Sequence, residues 1–428
     1  MMTTAIILFA LTYVALLVFP TYRAYIALFS AFIFVLTGIL PAGEVIGSID
    51  WNVIMMIAGT MGIVYLFIES GMPALLADLI IEKMPNVKWA IIALALFAGI
   101  ISAFVDNVAT VLMVAPVAVT IAKKLKISPV ASIIAIAISS NLQGAATLVG
   151  DTTSILLGGH AGMNFLDFFF YKGKPGMFWV VQVGALVSMF VLMYLFRKDK
   201  AQIKALERTV VTDFFPTVLL VGTVLLLILA SLVSKDSLPP FVTSHINGLI
   251  CLGLMVLGFL YDIATTRKTK TVVTAIKEID YFTLLLLAGL FVVIAGISRA
   301  GVVDEISKVF VRVSGNNVFV IYTLIVWVSV ILSAFIDNIP YVATMLPVAT
   351  GIAAQLGTDP TLIYFGLMVG ATLGGNLTPI GASANIAGLG ILRKEGYEVK
   401  ATQFMKISVP FTLAAVTSGY LLVWLIWA

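Results

Sequence analysis

Residues 215–233 pass without one charged side chain, and runs of the same character recur along the chain. A helix rises 1.5 Å per residue, so about 20 such residues cross the ~30 Å hydrocarbon layer of a bilayer. Backbone N–H and C=O groups find no water there, which leaves helices and closed barrels as the spanning structures. Barrel strands alternate apolar and polar residues over about ten positions, and no such alternation is visible. Composition agrees: of 428 residues, 61% are hydrophobic and 11% charged, where a soluble domain has roughly 25% charged. The mean hydropathy is +1.12. The sequence therefore predicts an all-α integral membrane protein embedded in a lipid bilayer. The first apolar run, 4–20, has no basic segment before it and reads as a retained span rather than a cleaved signal peptide.

Apolar windows and their breakers place spans near 4–20, 24–41 and 52–70, then a hairpin over 89–122 interrupted at Asp106–Asn107. A span broken near 144–154 and one at 177–196 follow, with the aromatic stretch MNFLDFFFY (163–171) between them as an interfacial anchor. The order then recurs: spans near 215–233, 241–261 and 281–298, a hairpin around Asp337–Asn338, a broken span near 361–392, and a last span near 406–427. This predicts ten full transmembrane spans plus two re-entrant hairpins, with two broken helices. The divisions are a first repeat over 1–200, a cytoplasmic linker over 201–212 and a second repeat over 213–428. An odd number of crossings per half inverts the second half relative to the first. Basic residues support that orientation. Arg197, Lys198, Lys200, Lys204 and Arg208, the loop with Arg267, Lys268, Lys270 and Lys277, Lys123, Lys124 and Lys126, and Arg393 and Lys394 all fall on the cytoplasmic side. Arg299, Lys308 and Arg312 fall on the other.

Sliding the sequence by 231 residues superposes SAFVDNVATVLMVAP (102–116) on SAFIDNIPYVATMLP (333–347) without a gap. The same offset carries Gly144, Thr147 and Gly150 onto Gly375, Thr378 and Gly381, and a shift of 230 matches IDWNVIMMIAG (49–59) with IDYFTLLLLAG (279–289). Agreement over three separate elements marks an internal duplication.

Duplication alone does not explain polar residues kept at matching depths. An ionised carboxylate at the bilayer centre costs roughly 2.5–3.5 kcal/mol on insertion scales, so it faces a cavity or a partner. Asp106, Asp151 and Asp337 each also suit exposed amides as N-caps. Around 144–150 and 374–381 the glycines should unwind the helix, freeing carbonyls and amides; such backbone survives at membrane depth only within protein or beside a water-filled cavity. Free carbonyls with Asn and Thr oxygens suit sodium, and free helix N-termini suit an anion. The candidate ion-binding residues are Asp106, Asn107, Thr110, Asn141, Thr147, Gly150, Asp151, Thr152, Thr153 and Ser154 in the first half. In the second they are Asp337, Asn338, Asn376, Thr378, Gly381, Ser383 and Asn385. Sodium would sit near Asp106, Asn107 and Gly150. The coupling residues are Asp106, Asp151 and Asp337, weighted to the first half, because Asp151 corresponds to Ala382.

These motifs, together with NLQGAATLVGDTTSILL and GATLGGNLTPIGASANIAG, resemble the ion transporter superfamily. The resemblance is to its branch of arsenite/antimonite permeases and the melanosomal P protein, with citrate-transporter-like character. Sodium/proton antiporters and divalent anion–sodium symporters are more distant. Those symporters carry Ser-Asn-Thr at each hairpin tip; here Asp106 and Asn107, with Thr110 after two more residues, and Asp337 and Asn338 occupy the matching positions. Aspartate in place of serine argues against a free dicarboxylate. The resemblance implies an elevator motion of hairpins and broken spans against a homodimeric scaffold that includes 24–41 and 241–261.

The expected function is therefore secondary active transport of a small ion across the cell membrane, driven by sodium or protons. An arsenite-type or other small anion leads, followed by sodium/proton antiport and then a sodium-coupled carboxylate or amino-acid carrier. No GxxxxGK[ST] loop for ATP hydrolysis is present. An intramembrane aspartyl protease needs two carboxyls sharing a proton, but LVGD (148–151) lacks the first glycine of the GxGD pattern and no HExxH occurs. A passive channel would not accumulate its ion. Cys251 is the only cysteine, and His160 and His245 the only histidines, which leaves no basis for a thiol or imidazole metal site. The net charge of +4 arises mainly in loops and points to no nucleic-acid partner; no cofactor beyond the coupling ion is expected.

Overall fold

The computed structural model describes residues 1–198, 201–202, 208–211, 213–233, 238–267 and 269–428. Lys200, Lys204, Lys268 and residues 203–207 and 212 of the expected linker lie outside the described residues. The chain opens with α1 (Met2–Val18) and α2 (Arg23–Leu36), between which it turns through 114° at Pro20. α2 stops at Leu36 rather than near 41, because Gly38 takes a left-handed φ of 71° just past the helix end. After α3 (Val45–Ser48) comes α4 (Trp51–Glu69), N-capped by Asp50, whose carboxylate accepts from Val53 N at 3.1 Å. The short α5 (Met72–Glu82) leads into the hairpin of α6 (Val87–Ser102) and α7 (Asn107–Leu125). α8 (Val130–Gly144) and α9 (Thr152–Ala161) form the broken span, and α10 (Met177–Leu195) completes the half.

The second half runs α11 (Phe215–Leu232), α12 (Pro240–Thr266), α13 (Lys270–Glu278), α14 (Tyr281–Arg299) and α15 (Val302–Ser314). The hairpin of α16 (Val318–Ser333) and α17 (Asn338–Leu356), the broken span of α18 (Thr361–Met368) and α19 (Ser383–Lys394), and α20 (Ala401–Trp427) follow. α16 and α17 start 231 residues after α6 and α7, and α14 starts 230 after α4. The duplicated sequence thus folds into duplicated elements. Among the described residues, eight helices are long and apolar enough to cross a membrane, or ten if each sharply bent pair is counted as one span. Two of the eight, α7 and α17, are hairpin arms. The expected ten crossings therefore also draw on the shorter α1 and α2 and on the broken spans.

Two packing arrangements position the site. α12 lies along α4 and α2 along α14. Gly59 permits the first approach, since a Cβ there would lie 2.6 Å from Leu252 N; Gly289 permits the second, at 2.7 Å from the carbonyl carbon of Ala27. Small residues let helix backbones meet this closely where dispersion, not water, drives association. The other body centres on α8, buried along its whole length among α6, α7, α10, α19 and α20. Its polar side chains at Ser140, Asn141 and Gln143 are buried with it and find hydrogen-bond partners there.

The sequence left α5, α13 and α15 unresolved as elements; α13 and α15 carry charges on one face and lie between the long helices. The aromatic stretch also differs from expectation. It folds as a 3-10 turn, Leu166–Phe168, and a two-stranded ribbon, Phe170–Tyr171 against Lys174–Pro175. Phe168 is fully buried while Phe170 is exposed, and Trp427 Nε1 donates to Pro175 O at 3.2 Å. The segment is clasped by α20 as well as turned outward. Of the basic residues on the minority face, Arg299 pairs with Glu44 at 2.7 Å and Lys308 with Glu305 at 2.6 Å.

Candidate functional site

At the first hairpin tip the chain leaves α6 at Ser102 and enters α7 at Asn107. Asp106 caps α7 by accepting from Val108 N at 2.9 Å and Ala109 N at 3.1 Å. Asn107 Oδ1 accepts from Ser102 Oγ at 2.7 Å, and its Nδ2 donates to Asn141 Oδ1 at 3.2 Å. Ser140 Oγ donates to Asn107 O at 3.0 Å, tying the tip to α8. The second tip repeats the plan. Asp337 accepts from Ile339 N at 3.0 Å, and Ser333 Oγ bonds Asn338 Oδ1 and, at 2.5 Å, Ala371 O.

Each helix break is laced to its tip. Thr147 donates to Ala103 O and Thr378 to Ala334 O, the same bond in both halves. Ser154 Oγ donates to Gly144 O at 3.1 Å; its counterpart Asn385 donates from Nδ2 to Gly375 O at 3.3 Å and Thr378 O at 3.1 Å. The second break is the less regular, passing through a π-turn at Val369–Leu373 and a 3-10 turn at Gly375–Leu377. Around Gly150 converge the carbonyls of Gly144, Ser102 and Ala103, 2.6, 2.9 and 2.9 Å from where a Cβ would stand. Around Gly381 those of Gly375, Ser333 and Ala334 stand at 2.5, 2.8 and 2.9 Å. Carbonyl oxygens converging beside an asparagine amide are ligands of the kind a hard monovalent cation takes, and in each half two of the three also accept a side-chain hydrogen bond.

The halves also touch each other. Asn141 Nδ2 donates to Thr372 O at 2.8 Å, Asn376 Nδ2 to Ile138 O at 2.9 Å, and the hydroxyls of Thr153 and Thr372 lie 3.1 Å apart. The result is one cavity of about 360 Å³. Asp106, Asn107, Asn141, Asp151 and Thr152 line it from the first half, and Asp337, Asn338 and Ser383 from the second. It extends past Tyr65 to the exposed Glu278 and Asp280. Thr110, Thr147, Gly150, Thr153, Ser154, Asn376, Thr378, Gly381 and Asn385 stand behind this lining. Most of them hold the breaks through the bonds above; Thr110 Oγ1, Asn376 Oδ1 and Asn385 Oδ1 are buried without a partner among the described residues.

Among the described residues, five carboxylates line the cavity (Asp106, Asp151, Glu278, Asp280 and Asp337) and no lysine or arginine does. Behind the second tip, Arg23 of α2 pairs with Asp337 Oδ2 at 2.6 Å, and Ser383 Oγ donates to the same oxygen at 3.3 Å. Tyr13 OH donates to Pro340 O at 2.7 Å beside it. Asp151 Oδ2 accepts from Thr153 Oγ1 at 2.8 Å. Among the described residues no group of three His, Cys, Asp or Glu side chains forms a metal cage. Sequence reasoning did not single out Arg23, Glu278 or Asp280. The duplicated Ile-Asp of 49–50 and 279–280 was the available signal for Asp280; Arg23, at a span boundary, gave none. Arg23→Ala is expected to lower stability by roughly 1–3 kcal/mol, below the ~3–5 of a fully enclosed pair because both groups keep some solvent contact. Thermal unfolding in detergent of Arg23→Ala, Asp337→Asn and the double variant checks this: the double loss should fall short of the sum.

Two hairpin tips and two helix breaks meet at one cavity that opens past Tyr65, inside a bundle of apolar helices, an arrangement suited to a membrane transporter. The chain belongs to the CitMHS family, described as citrate transporter, whose profile matches residues 13–370. It is 30% identical over 409 residues to an uncharacterized transporter of Mycobacterium tuberculosis, covering 94% of this chain and 93% of that one. It is 26% identical to the P protein of Homo sapiens over 89% of this chain, which spans 54% of that protein. Among solved structures, the YdaH transporter of Alcanivorax borkumensis shares the fold, with a TM-score of 0.58 at 15% identity over 89% of this chain and 86% of that one. The protein is thus a multi-pass secondary transporter of this family.

Proposed function

We propose that the protein moves a small oxyacid across the cell membrane, with arsenite in its uncharged form as the leading cargo, driven by sodium or protons held at the tip carboxylates. The observation that carries this reading is the cavity in which both tips and both breaks meet, lined among the described residues by five carboxylates and no basic residue, with Arg23 neutralising only Asp337 from behind. Such a lining attracts cations and repels free anions. An uncharged hydroxide enters it without that penalty. A free tricarboxylate does not, so the citrate of the family description would need to enter neutralised by a bound divalent cation. The same lining supports a second reading, sodium/proton antiport, in which the carboxylates alone exchange the two cations.

The mobile unit in this reading is the body of both hairpins and both broken spans, sliding against a homodimeric scaffold that includes α2 and α12. The repeats divide at the linker, 1–200 and 213–428 flanking 201–212. Sodium would bind where Asn107, Asp106 and the carbonyls around Gly150 converge, and Asp151 would take the coupling proton or share the cation.

Purified protein in liposomes, with sodium and pH gradients imposed separately, tests the reading. Arsenite uptake against its own gradient under one of the two drives is expected. Movement of sodium against protons with no arsenite flux would replace the first reading by the second, and downhill leakage alone would remove both. Asp151→Asn is expected to abolish accumulation driven by the coupling gradient while leaving downhill exchange within about threefold, since the amide keeps an acceptor for Thr153. Accumulation equal to that of the parent would take Asp151 out of the coupling step.

A further inference from the structure

The two hairpin tips share a sequence plan but not a charge. Asp337 faces Arg23 at 2.6 Å, with 12% and 24% of the two side chains exposed. Its equivalent, Asp106, accepts from main-chain amides, and no basic side chain pairs with it among the described residues. The scaffold packing shows that the charge belongs to one half alone. A Cβ on Gly289 would meet α2 at the backbone of Ala27 and Leu28, and a Cβ on Gly59 would meet α12 at that of Cys251 and Leu252. α2 and α12 are therefore corresponding helices, with Ala27 in the place of Cys251. One turn back from each, Arg23 falls in the place of Asn247, an uncharged amide.

The tip amides differ as well. Asn107 Nδ2 is taken by Asn141 Oδ1 at 3.2 Å. The 231-residue offset puts Thr372 where Asn141 stands, so the second half has no amide oxygen at that place. Asn338 Oδ1 accepts from Ser333, as Asn107 Oδ1 does from Ser102. Its Nδ2 donates to nothing among the described residues. Asn338 is only 6% exposed and lines the cavity. A buried N–H without an acceptor is costly to leave so, and this one faces the space a ligand oxygen would fill.

We infer that Arg23 gives the two tips different ligands. Standing as a fixed cation on Asp337, it keeps sodium from the second tip and leaves Asn338 Nδ2 there to meet an oxygen of the uncharged cargo. The first tip has no such partner and holds the mobile cation. A sodium ion arriving at Asp337 would meet the guanidinium as well as the carboxylate, so the pair offers it no net attraction. At Asp106 there is no fixed counter-charge, and Asp151 adds a second carboxylate to the lining on that side. Arg23 does not line the cavity; it acts through Asp337 and is a positioning residue. The inference rests on the transport reading of the cavity, but its central measurement is of binding and needs no flux.

Radioactive sodium bound to the purified protein in detergent tests it. At saturation Arg23→Gln should hold about twice the sodium of the parent, and Arg23→Lys the same as the parent. Arg23→Gln with Asp337→Asn, which restores an uncharged tip, should return to the parental amount. An arginine that only held the fold would produce neither the gain nor its reversal. Arg23→His serves where Arg23→Gln does not fold: its imidazole carries the fixed charge at low pH and loses it at high pH, so its bound sodium should rise against the parent's as pH rises. Asn338→Ala should raise the arsenite concentration for half-maximal uptake into liposomes by about two- to tenfold, with sodium binding unchanged. Equal sodium in the parent and in folded Arg23→Gln or high-pH Arg23→His would overturn the proposal. An unaltered arsenite half-saturation in Asn338→Ala would overturn the placing of cargo at the second tip. A parent without bound sodium, beside an Arg23→Gln protein that gains it, supports the fixed cation and removes only sodium as the coupling ion. Sodium amounts as expected with no arsenite uptake in the parent support it too, and remove only the assigned cargo.

Discussion

Replacing Gly150 by alanine is expected to reduce gradient-driven uptake by about a hundredfold or more, a loss of about 2.7 kcal/mol or more. The added methyl would stand 2.6 Å from Gly144 O and 2.9 Å from both Ser102 O and Ala103 O, in the centre of the oxygens proposed to hold the coupling cation. No side-chain rotation relieves this, because all three neighbours are main-chain atoms and the break is pinned to the tip by the bond from Thr147 to Ala103 O. The loop must shift, and the cation site shifts with it. Gly381→Ala makes the same intrusion among Gly375 O, Ser333 O and Ala334 O, so the pair of variants asks whether both halves bind a cation. The measurement is uptake into liposomes beside sodium-dependent stabilisation, since a ligand that binds only the folded state raises its melting temperature. A Gly150→Ala protein that keeps the sodium-dependent shift and the parental rate would refute the assignment of these carbonyls.

The second large effect is on the fold. Gly59→Leu is expected to cost about 3 kcal/mol or more, at or above the usual range for overpacking, because the side chain would enter the backbone of α12 at Cys251 and Leu252 rather than another side chain. α4 and α12 would separate, and with them the wall that carries Met61, Val64 and Tyr65 into the large cavity. Thermal unfolding in detergent should show a lowered transition for Gly59→Leu and for Gly289→Leu. Gly222→Leu, where nothing lies within 4 Å, should leave it unchanged. Equal transitions in all three would show that these close approaches do not hold the scaffold.

Much of this architecture is legible in the sequence, because a bilayer narrows the choices so strongly. The 231-residue register places the starts of α7 and α17 at Asn107 and Asn338, and the glycines at 144, 150, 375 and 381 fall where the helices open. The same register brought Asp106 and Asp337 to the tips, where each both caps a helix and lines the cavity. What the pattern does not carry is partnership. Periodicity tells which face of a helix is apolar, not which distant helix meets it, so the pairing of Arg23 with Asp337 and the reach of Tyr13 to Pro340 have no local signature. The small helices escaped for another reason: α13 and α15 bear charges within short apolar patterns, too polar to read as spans and too brief to read as anything else.

Arg23 belongs to α2 and Asp337 to the hairpin, so a displacement of one against the other parts two opposite charges. In an energised membrane, carrying one charge across the full field is worth about 2.3 kcal/mol per 100 mV. A hairpin that leaves Arg23 behind takes an uncompensated negative charge through part of that drop unless a cation travels with it. Under the proposed sliding motion, the voltage of the cell would become a term in the resting position of the carrier, and an unladen return stroke would be penalised at the point where a leak would otherwise begin.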